Sequence, residues 1–130
     1  MKKLLIILGT VIISTATMNS QQISFEKERV NYGKIEHESD GHREIVITNV
    51  GTQPLLISSV VGQCGCTTAM EGGIPGWPIE PILPNGKGII KFKYDTKREG
   101  RFDKLITIHS NDILGDRTFY IYGDVLPKKN

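Results

Sequence analysis

The sequence lacks an excess of charge of either sign. Its 130 residues carry 16 Lys and Arg against 14 Asp and Glu, and two of the cations, Lys2 and Lys3, precede an apolar run at the amino terminus. Nucleic-acid-binding domains present a basic face, and attraction to anionic membranes also requires clustered cations. The charge balance therefore argues against a nucleic acid or an anionic bilayer as the partner of the folded body.

The chain also lacks an apolar run long enough to cross a bilayer, which takes about 20 residues. Its apolar run at residues 4–13 follows the Lys pair and ends in small and polar residues, an order typical of a secretory signal peptide. We predict a signal peptide over residues 1–20, with cleavage between Ala16 and Gln22, and a mature domain over residues 21–130. No cysteine follows the run closely, so we expect no membrane span and no lipid anchor, and a periplasmic or secreted protein.

Helical periodicity is absent as well, because apolar residues do not recur at the three- and four-residue spacing of an amphipathic helix. Short alternating runs are instead separated by turn residues about every eight to twelve positions, a pattern typical of β-sandwiches. The predicted inward-facing sets are Ile45 and Ile47, then Ile90, Phe92 and Tyr94, then Ile106 and Ile108. We predict an all-β chain, an antiparallel β-sandwich of seven to eight strands.

Two stretches interrupt this regular pattern. Residues 62–77 contain five glycines and are predicted to form a loop. Residues 79–83 are bracketed by three prolines, which cannot donate to a strand ladder, so we predict a short edge strand there.

An ordered series of short motifs runs through the predicted domain. It comprises Asn49-Val50-Gly51, Pro54-Leu55, Cys64-Gly65-Cys66-Thr67, Tyr94-Asp95-Thr96, Gly100-Arg101-Phe102, Ser110-Asn111 and Gly123-Asp124-Val125. The series resembles the bacterial family called domain of unknown function 1573, whose hallmark is the CGCT tetrapeptide, over residues 23–125. The resemblance implies an exported immunoglobulin-like β-sandwich related to major sperm protein and Hydin-type domains, and it implies no activity. Two segments depart from the family pattern, residues 84–88 and the longer stretch 70–77.

Cys64 and Cys66 are the only cysteines, and one residue separates them. In a regular strand such a pair lies about 6.6 Å apart on one face, at the edge of disulfide geometry, and Gly65 lets the backbone bring the sulfurs closer. Three uses remain open: a local disulfide in a surface loop, a copper(I) or zinc site of two thiolates, and catalytic thiol exchange. No Lys, Arg or His lies within eight residues of the pair to activate a thiolate.

Trp77 is the only tryptophan, and it lies between Gly76 and Pro78. It either closes one end of the sandwich or presents an apolar surface to a partner, since a large exposed aromatic side chain is unusual without one. If the domain binds another molecule, Trp77 is the best candidate anchor. The predicted binding or redox residues are Cys64, Gly65, Cys66, Thr67 and Trp77.

The sequence contains neither a nucleophile elbow nor a glycine-rich phosphate loop, so we predict no enzymatic activity, no catalytic residues and no cofactor. The predicted function is an exported binding or assembly module whose partner is an unknown protein or envelope component. The alternative is a redox or copper-handling protein that acts through Cys64 and Cys66.

Overall fold

The computed structural model describes Gly9 and residues 20–130, so the predicted signal peptide lies outside the described residues except for Gly9 and Ser20. The described residues contain ten strands and no helix, hence no helix that is long and apolar enough to cross a membrane. The strands are β1 (Ile23–Phe25), β2 (Arg29–Ile35), β3 (His42–Asn49), β4 (Ile57–Gly62), β5 (Thr67–Thr68), β6 (Met70–Glu71), β7 (Ile74–Pro75), β8 (Lys87–Tyr94), β9 (Gly100–Ser110) and β10 (Arg117–Val125). The predicted all-β class is confirmed.

Eight of these strands form one curled sheet in the order β1-β3-β8-β5-β4-β9-β10-β2, while β6 and β7 form a separate hairpin. The sheet has two halves, β1-β3-β8 and β4-β9-β10-β2. The short strand β5 joins them, because it pairs with β4 on one side and β8 on the other. The pairing differs from the predicted antiparallel arrangement only where β2 lies parallel to β10. The chain crosses from one end of the sheet to the other between β1 and β2. There β2 pairs with β10, and the two strands run in the same direction.

The core lies between the two halves of the curled sheet, because side chains alternate between the faces of a strand and each strand is apolar on one face. The buried side chains include every predicted inward set: Ile45, Ile47, Ile90, Phe92, Tyr94, Ile106 and Ile108. The halves meet at aromatic rings, since Phe92 of β8 and Phe119 of β10 have ring centroids 5.3 Å apart. The alternation rule therefore predicts the core of this domain.

The connection between β4 and β8 departs most from the sequence-based expectation. Residues 62–77 are not a plain loop, because they contain β5, β6 and β7. The predicted strand at residues 79–83 is wrong, since only Ile82 is paired, in a single bridge to Leu55. The neighbouring prolines lack the N–H groups that would extend this bridge into a ladder.

The buried side chain of Asn49 stabilises this irregular connection. Its side chain is fully buried, and its Nδ2 donates to the carbonyl oxygens of Gln53 at 2.8 Å and Ile82 at 2.9 Å. Its Oδ1 accepts a hydrogen bond from the Gly51 N–H at 2.9 Å. A buried amide is tolerated when its polar atoms are satisfied in this way, so Asn49 fixes the end of β3 to the residues around Ile82.

Candidate functional site

The CGCT tetrapeptide is a β-turn that leads from β4 into β5, and we call residues 64–67 the cysteine turn. The Thr67 N–H donates to the Cys64 carbonyl oxygen at 3.3 Å, the hydrogen bond that closes a four-residue turn. Cys64 and Cys66 are joined by a disulfide within the turn, and their Cα atoms are 5.2 Å apart. The CGCT tetrapeptide is thus one compact structural unit.

Both halves of the sheet fix the cysteine turn in place. The Asp95 N–H, directly after β8, donates to the Cys66 carbonyl oxygen at 2.8 Å. Directly before the turn, the Gln63 N–H donates to the Leu105 carbonyl oxygen of β9 at 2.9 Å, and the Gln63 Oε1 accepts the Leu105 N–H at 3.0 Å. These hydrogen bonds, one of them to the Gln63 side chain, make the turn an integral part of the sandwich.

The two cysteines differ in burial. Cys66 is 2% exposed and belongs to the core, whereas Cys64 is half-buried and packs against that core. The predicted location of the pair in a surface loop is therefore wrong for Cys66. The pairing of Thr67 with Tyr94 and the hydrogen bond from Asp95 draw Cys66 over the interior, where its sulfur packs as an apolar group.

Thr67 and Gly65, the other predicted site residues of the turn, lie in different surroundings. Thr67 is buried in β5, and its Oγ1 lies 3.8 Å from the Cys66 Sγ, so its side chain packs inside the domain against the disulfide. A Cβ at Gly65 would meet no atom within 4 Å, and its φ is not in the left-handed region. The glycine that the turn requires is Gly62, where a Cβ would lie 2.6 Å from the Thr67 carbonyl oxygen. Sequence reasoning missed Gly62 because this close approach leaves no local signal.

The cysteine pair limits the chemistry of the turn. Exchange with an external thiol would begin at Cys64, which is the more accessible partner of the disulfide. The described part of the chain contains no group of three or more His, Cys, Asp or Glu side chains placed to hold a metal ion. A copper(I) ion could bind the two sulfurs only after an external thiol had reduced the disulfide to two thiolates.

The β6–β7 hairpin follows the cysteine turn and presents apolar side chains to solvent. Gly72 and Gly73 at its tip have φ values of 58° and 76°, as a two-residue type I′ turn requires. Ile74 is 72% exposed and Met70 is 47% exposed. The Gly-Gly pair is a local signal for this hairpin, and the predicted loop over residues 62–77 is wrong here.

Charged side chains fasten the hairpin to the sandwich, and we call them the His42 cluster. The His42 Nε2 lies 2.8 Å from the Glu71 Oε2 of β6, and its Nδ1 lies 2.6 Å from the Asp40 Oδ1. The Lys93 Nζ lies 3.7 Å from the Glu71 Oε1. The hydrogen bond to Glu71, followed by that to Asp40, raises the pKa of His42, and hydrogen bonds from His42 lower the pKa of both carboxyl groups. This cluster has no local signal in the sequence, because His42 and Glu71 are 29 residues apart.

Trp77 is half-buried, packs against the core and forms one wall of an open depression of about 620 Å³. We call this depression the Trp77 groove, and its lining consists of Val46, residues 75–78, residues 87–89 and Lys91. A second cavity, of about 280 Å³, lies beside it under the hairpin and shares Pro75, Gly76 and Lys91 with it. No residue of the cysteine turn lines the groove, so the structure divides the predicted site residues between two places.

Residues 23–125 match the family described as "Protein of unknown function (DUF1573)". The chain belongs to this family. The resemblance based on the CGCT series is therefore confirmed over the same residues. No curated protein matches the sequence of this DUF1573 domain.

Solved structures share the fold of the DUF1573 domain at low sequence identity. A protein of unknown function from Porphyromonas gingivalis W83 matches with a TM-score of 0.68 at 18% identity, covering 88% of this chain and 51% of that one. The PapD-like domain 7 of human CEP192 matches with a TM-score of 0.62 at 9% identity, covering 95% and 97%. The CupB2 chaperone of Pseudomonas aeruginosa matches with a TM-score of 0.51 at 12% identity, covering 82% and 57%. The chain thus spans about half the length of the first structure, and the immunoglobulin-like β-sandwich is confirmed.

Proposed function

We propose that this DUF1573 domain is an exported, non-enzymatic module that binds another protein. The observation that carries the proposal is the set of exposed apolar side chains in the connection after the cysteine turn. Ile74 and Ile79 are 72% and 73% exposed, and Met70 is 47% exposed. Trp77, which lies between the two isoleucines in the sequence, is half-buried. Burial of such apolar surface against a partner stabilises the complex, because it removes the surface from water.

The connection that carries these side chains is held in a defined conformation. The Gly76 N–H donates to the Ala69 carbonyl oxygen at 2.6 Å, and the Lys91 N–H of β8 donates to the Gly76 carbonyl oxygen at 2.6 Å. These bonds fix the base of the hairpin against the sandwich. A surface that is ordered before binding loses less conformational entropy when the partner arrives.

Two further observations support the proposal. The fold likeness to the CupB2 chaperone is an analogy in favour of protein binding. The signal-like amino terminus and the Cys64–Cys66 disulfide favour export into an oxidising compartment. Intact mass of the protein from the cell envelope checks the export, with removal of a segment that ends between Ala16 and Gln22 as the expected result.

Site-specific photo-crosslinking in growing cells tests the binding function. A photoreactive amino acid replaces Ile74, and the matched control replaces Thr118, which is exposed on β10 in the other half of the sheet. We expect a discrete covalent adduct at the first position and none at the second. The same adducts from both positions, or none from Ile74, would contradict the proposal.

Thiol–disulfide exchange is the second candidate function, and the disulfide of the cysteine turn is the observation that favours it. The pair Cys64→Ser and Cys66→Ser separates the two functions, once circular dichroism has shown that the double variant is folded. A binding module keeps the adduct at Ile74 in this variant. A redox or copper-handling protein loses its function with the two sulfurs.

A further inference from the structure

We propose that the Trp77 groove binds an extended acidic peptide segment with a large apolar side chain at its centre. This inference rests on the proposed protein-binding function and specifies the chemistry of the partner. It depends on three features of the groove: its apolar floor, the cations on either side of that floor, and the spacing between those cations.

The floor and wall of the groove are apolar. Ile89 of β8 is 44% exposed, and it lies in the groove with Val46 of β3 and the rings of Trp77 and Pro78. The volume of about 620 Å³ falls within the range of about 300–1,000 Å³ that is typical of ligand-binding clefts. A leucine or phenylalanine side chain of a partner fits this surface by burying apolar area against Trp77 and Ile89.

Two lysines bracket the apolar floor. Lys87 and Lys91 both line the groove, and neither forms an ion pair with another described residue, in contrast to Lys93, which is paired with Glu71. Glu44 lies opposite Lys91 in the β3–β8 ladder but does not pair with its ammonium group. The groove therefore offers two ammonium groups for carboxylates of a partner.

The spacing of these lysines sets the pattern of the peptide. Lys87, Ile89 and Lys91 alternate with buried residues along β8, so all three side chains lie on its outer face. An extended peptide has the same rise of about 3.3 Å per residue as β8. A peptide that lies along β8 with its apolar side chain over Ile89 therefore meets the lysines with residues two positions before and two positions after that side chain.

The peptide is placed over the outer face of β8 and not along either of its backbone edges. One edge of β8 pairs with β3. On the other edge Lys93 and Tyr94 pair with β5, and the Lys91 N–H donates to the Gly76 carbonyl oxygen. The peptide is therefore recognised by the outer side chains of β8 and by the Trp77 wall. This arrangement makes the apolar centre and the flanking carboxylates the two separable requirements for binding.

Fluorescence of Trp77 tests the inference directly, because it is the only tryptophan in the chain and forms a wall of the groove. The probe is a synthetic seven-residue peptide with leucine at its centre, glutamate two positions to either side, and serine elsewhere. One control peptide carries lysines in place of the glutamates, and a second carries serine in place of the leucine. We expect a saturable change in Trp77 emission with the first peptide only.

Charge-reversed variants give the matched comparison. The double substitution Lys87→Glu and Lys91→Glu is expected to lower the affinity for the glutamate peptide by about tenfold or more, because two attractive contacts become repulsive. The pair Lys97→Glu and Lys128→Glu changes the net charge equally at exposed sites outside the groove and should leave binding unchanged. The neutral pair Lys87→Gln and Lys91→Gln replaces the reversed pair if a melting curve shows that the latter is unfolded.

Three outcomes would overturn the inference. Equal binding of the lysine and glutamate peptides, or no binding of either, would rule out an acidic peptide as the partner of the groove. A change in Trp77 emission with phosphatidylglycerol vesicles but not with the peptide would assign the groove to an anionic lipid surface. None of these results contradicts the proposed protein-binding function if the photo-crosslinked adduct at Ile74 is observed. Absence of that adduct contradicts the proposed function itself.

Discussion

The cysteine turn and the β6–β7 hairpin are adjacent in sequence, yet they are held in different ways. Backbone hydrogen bonds to both halves of the sheet fix the turn, and Cys66 packs in the core. The hairpin pairs with itself, and the side chains that fasten its outer part, those of the His42 cluster, are largely exposed. The difference indicates that the CGCT tetrapeptide is part of the sandwich, while the hairpin beyond it exposes apolar side chains to solvent.

The largest expected effect contrasts the core beneath both regions with the hairpin itself. Ile90 of β8 is 0% exposed and Ile74 is 72% exposed, so the same substitution can be made at each. Ile90→Ala should lower the free energy of unfolding by about 2–5 kcal/mol, because it removes buried methyl groups and leaves a cavity. Ile74→Ala should change it by less than about 0.5 kcal/mol. Chemical denaturation measures both, and comparable losses would show that the hairpin contributes to stability as the core does.

The two cysteines give the next contrast, within the turn itself. Cys64→Ser and Cys66→Ser each remove the same disulfide, whose very small ring provides little entropic stabilisation. Only Cys66→Ser places a hydroxyl in the core, so it should cost about 1–3 kcal/mol more than Cys64→Ser in the free energy of unfolding. Cys66→Ala serves as the control, since it leaves no polar atom behind. Equal losses from the two serine variants would show that Cys66 is not buried in solution.

A third contrast concerns the two glycines that flank Cys64. Gly62→Ala should lower the free energy of unfolding by about 1 kcal/mol or more, because its Cβ would overlap the Thr67 carbonyl oxygen and force the turn to move. Gly65→Ala should have almost no effect, because nothing lies near the added Cβ. Thermal unfolding of both variants measures the difference. A larger loss for Gly65→Ala would restore the sequence-based idea that Gly65 is what allows the cysteines to meet.

These contrasts also show which parts of the structure a sequence can predict. The inward positions of β8 were predictable, because side-chain alternation is a local property of a strand. The direction in which Cys66 points was not, because it depends on a hydrogen bond from Asp95, far along the chain. The absence of a strand at residues 79–83 could have been inferred more fully from its prolines, whose missing N–H groups are visible in the sequence.

The candidate site was less predictable than the fold. Trp77 was identified because a lone tryptophan in a turn-rich segment needs an explanation, and it does form a wall of a groove. The lysines beside it resembled ordinary solvent-facing residues of an alternating strand. Their significance depends on the connection that brings Trp77 against the outer face of β8, which is a long-range contact.

The smallest expected effect is confined to the hairpin and depends on pH. His42 faces two carboxylates, Asp40 and Glu71, with Lys93 beside Glu71, and the Arg43 guanidinium donates to the carbonyl oxygens of Asp40 and His42. The raised pKa of His42 means that its protonated form is favoured when the hairpin is fastened. This contribution is complete below the ordinary value of 6.5 and is lost as the pH rises through the raised pKa.

The carboxyl groups of Asp40 and Glu71 set the lower limit of this pH range. Because their pKa values are lowered from 3.8 and 4.5, their contribution is present above those values and is lost as the pH falls through the lowered pKa. Amide hydrogen exchange, corrected for intrinsic rates, should therefore show the strongest hairpin protection between about pH 4.5 and 6.5, with the amides of β10, in the other half of the sheet, unaffected. His42→Asn should reduce this protection and flatten its pH dependence without shifting the global melting curve. A pH dependence that survives in His42→Asn would show that the His42 cluster does not fasten the hairpin.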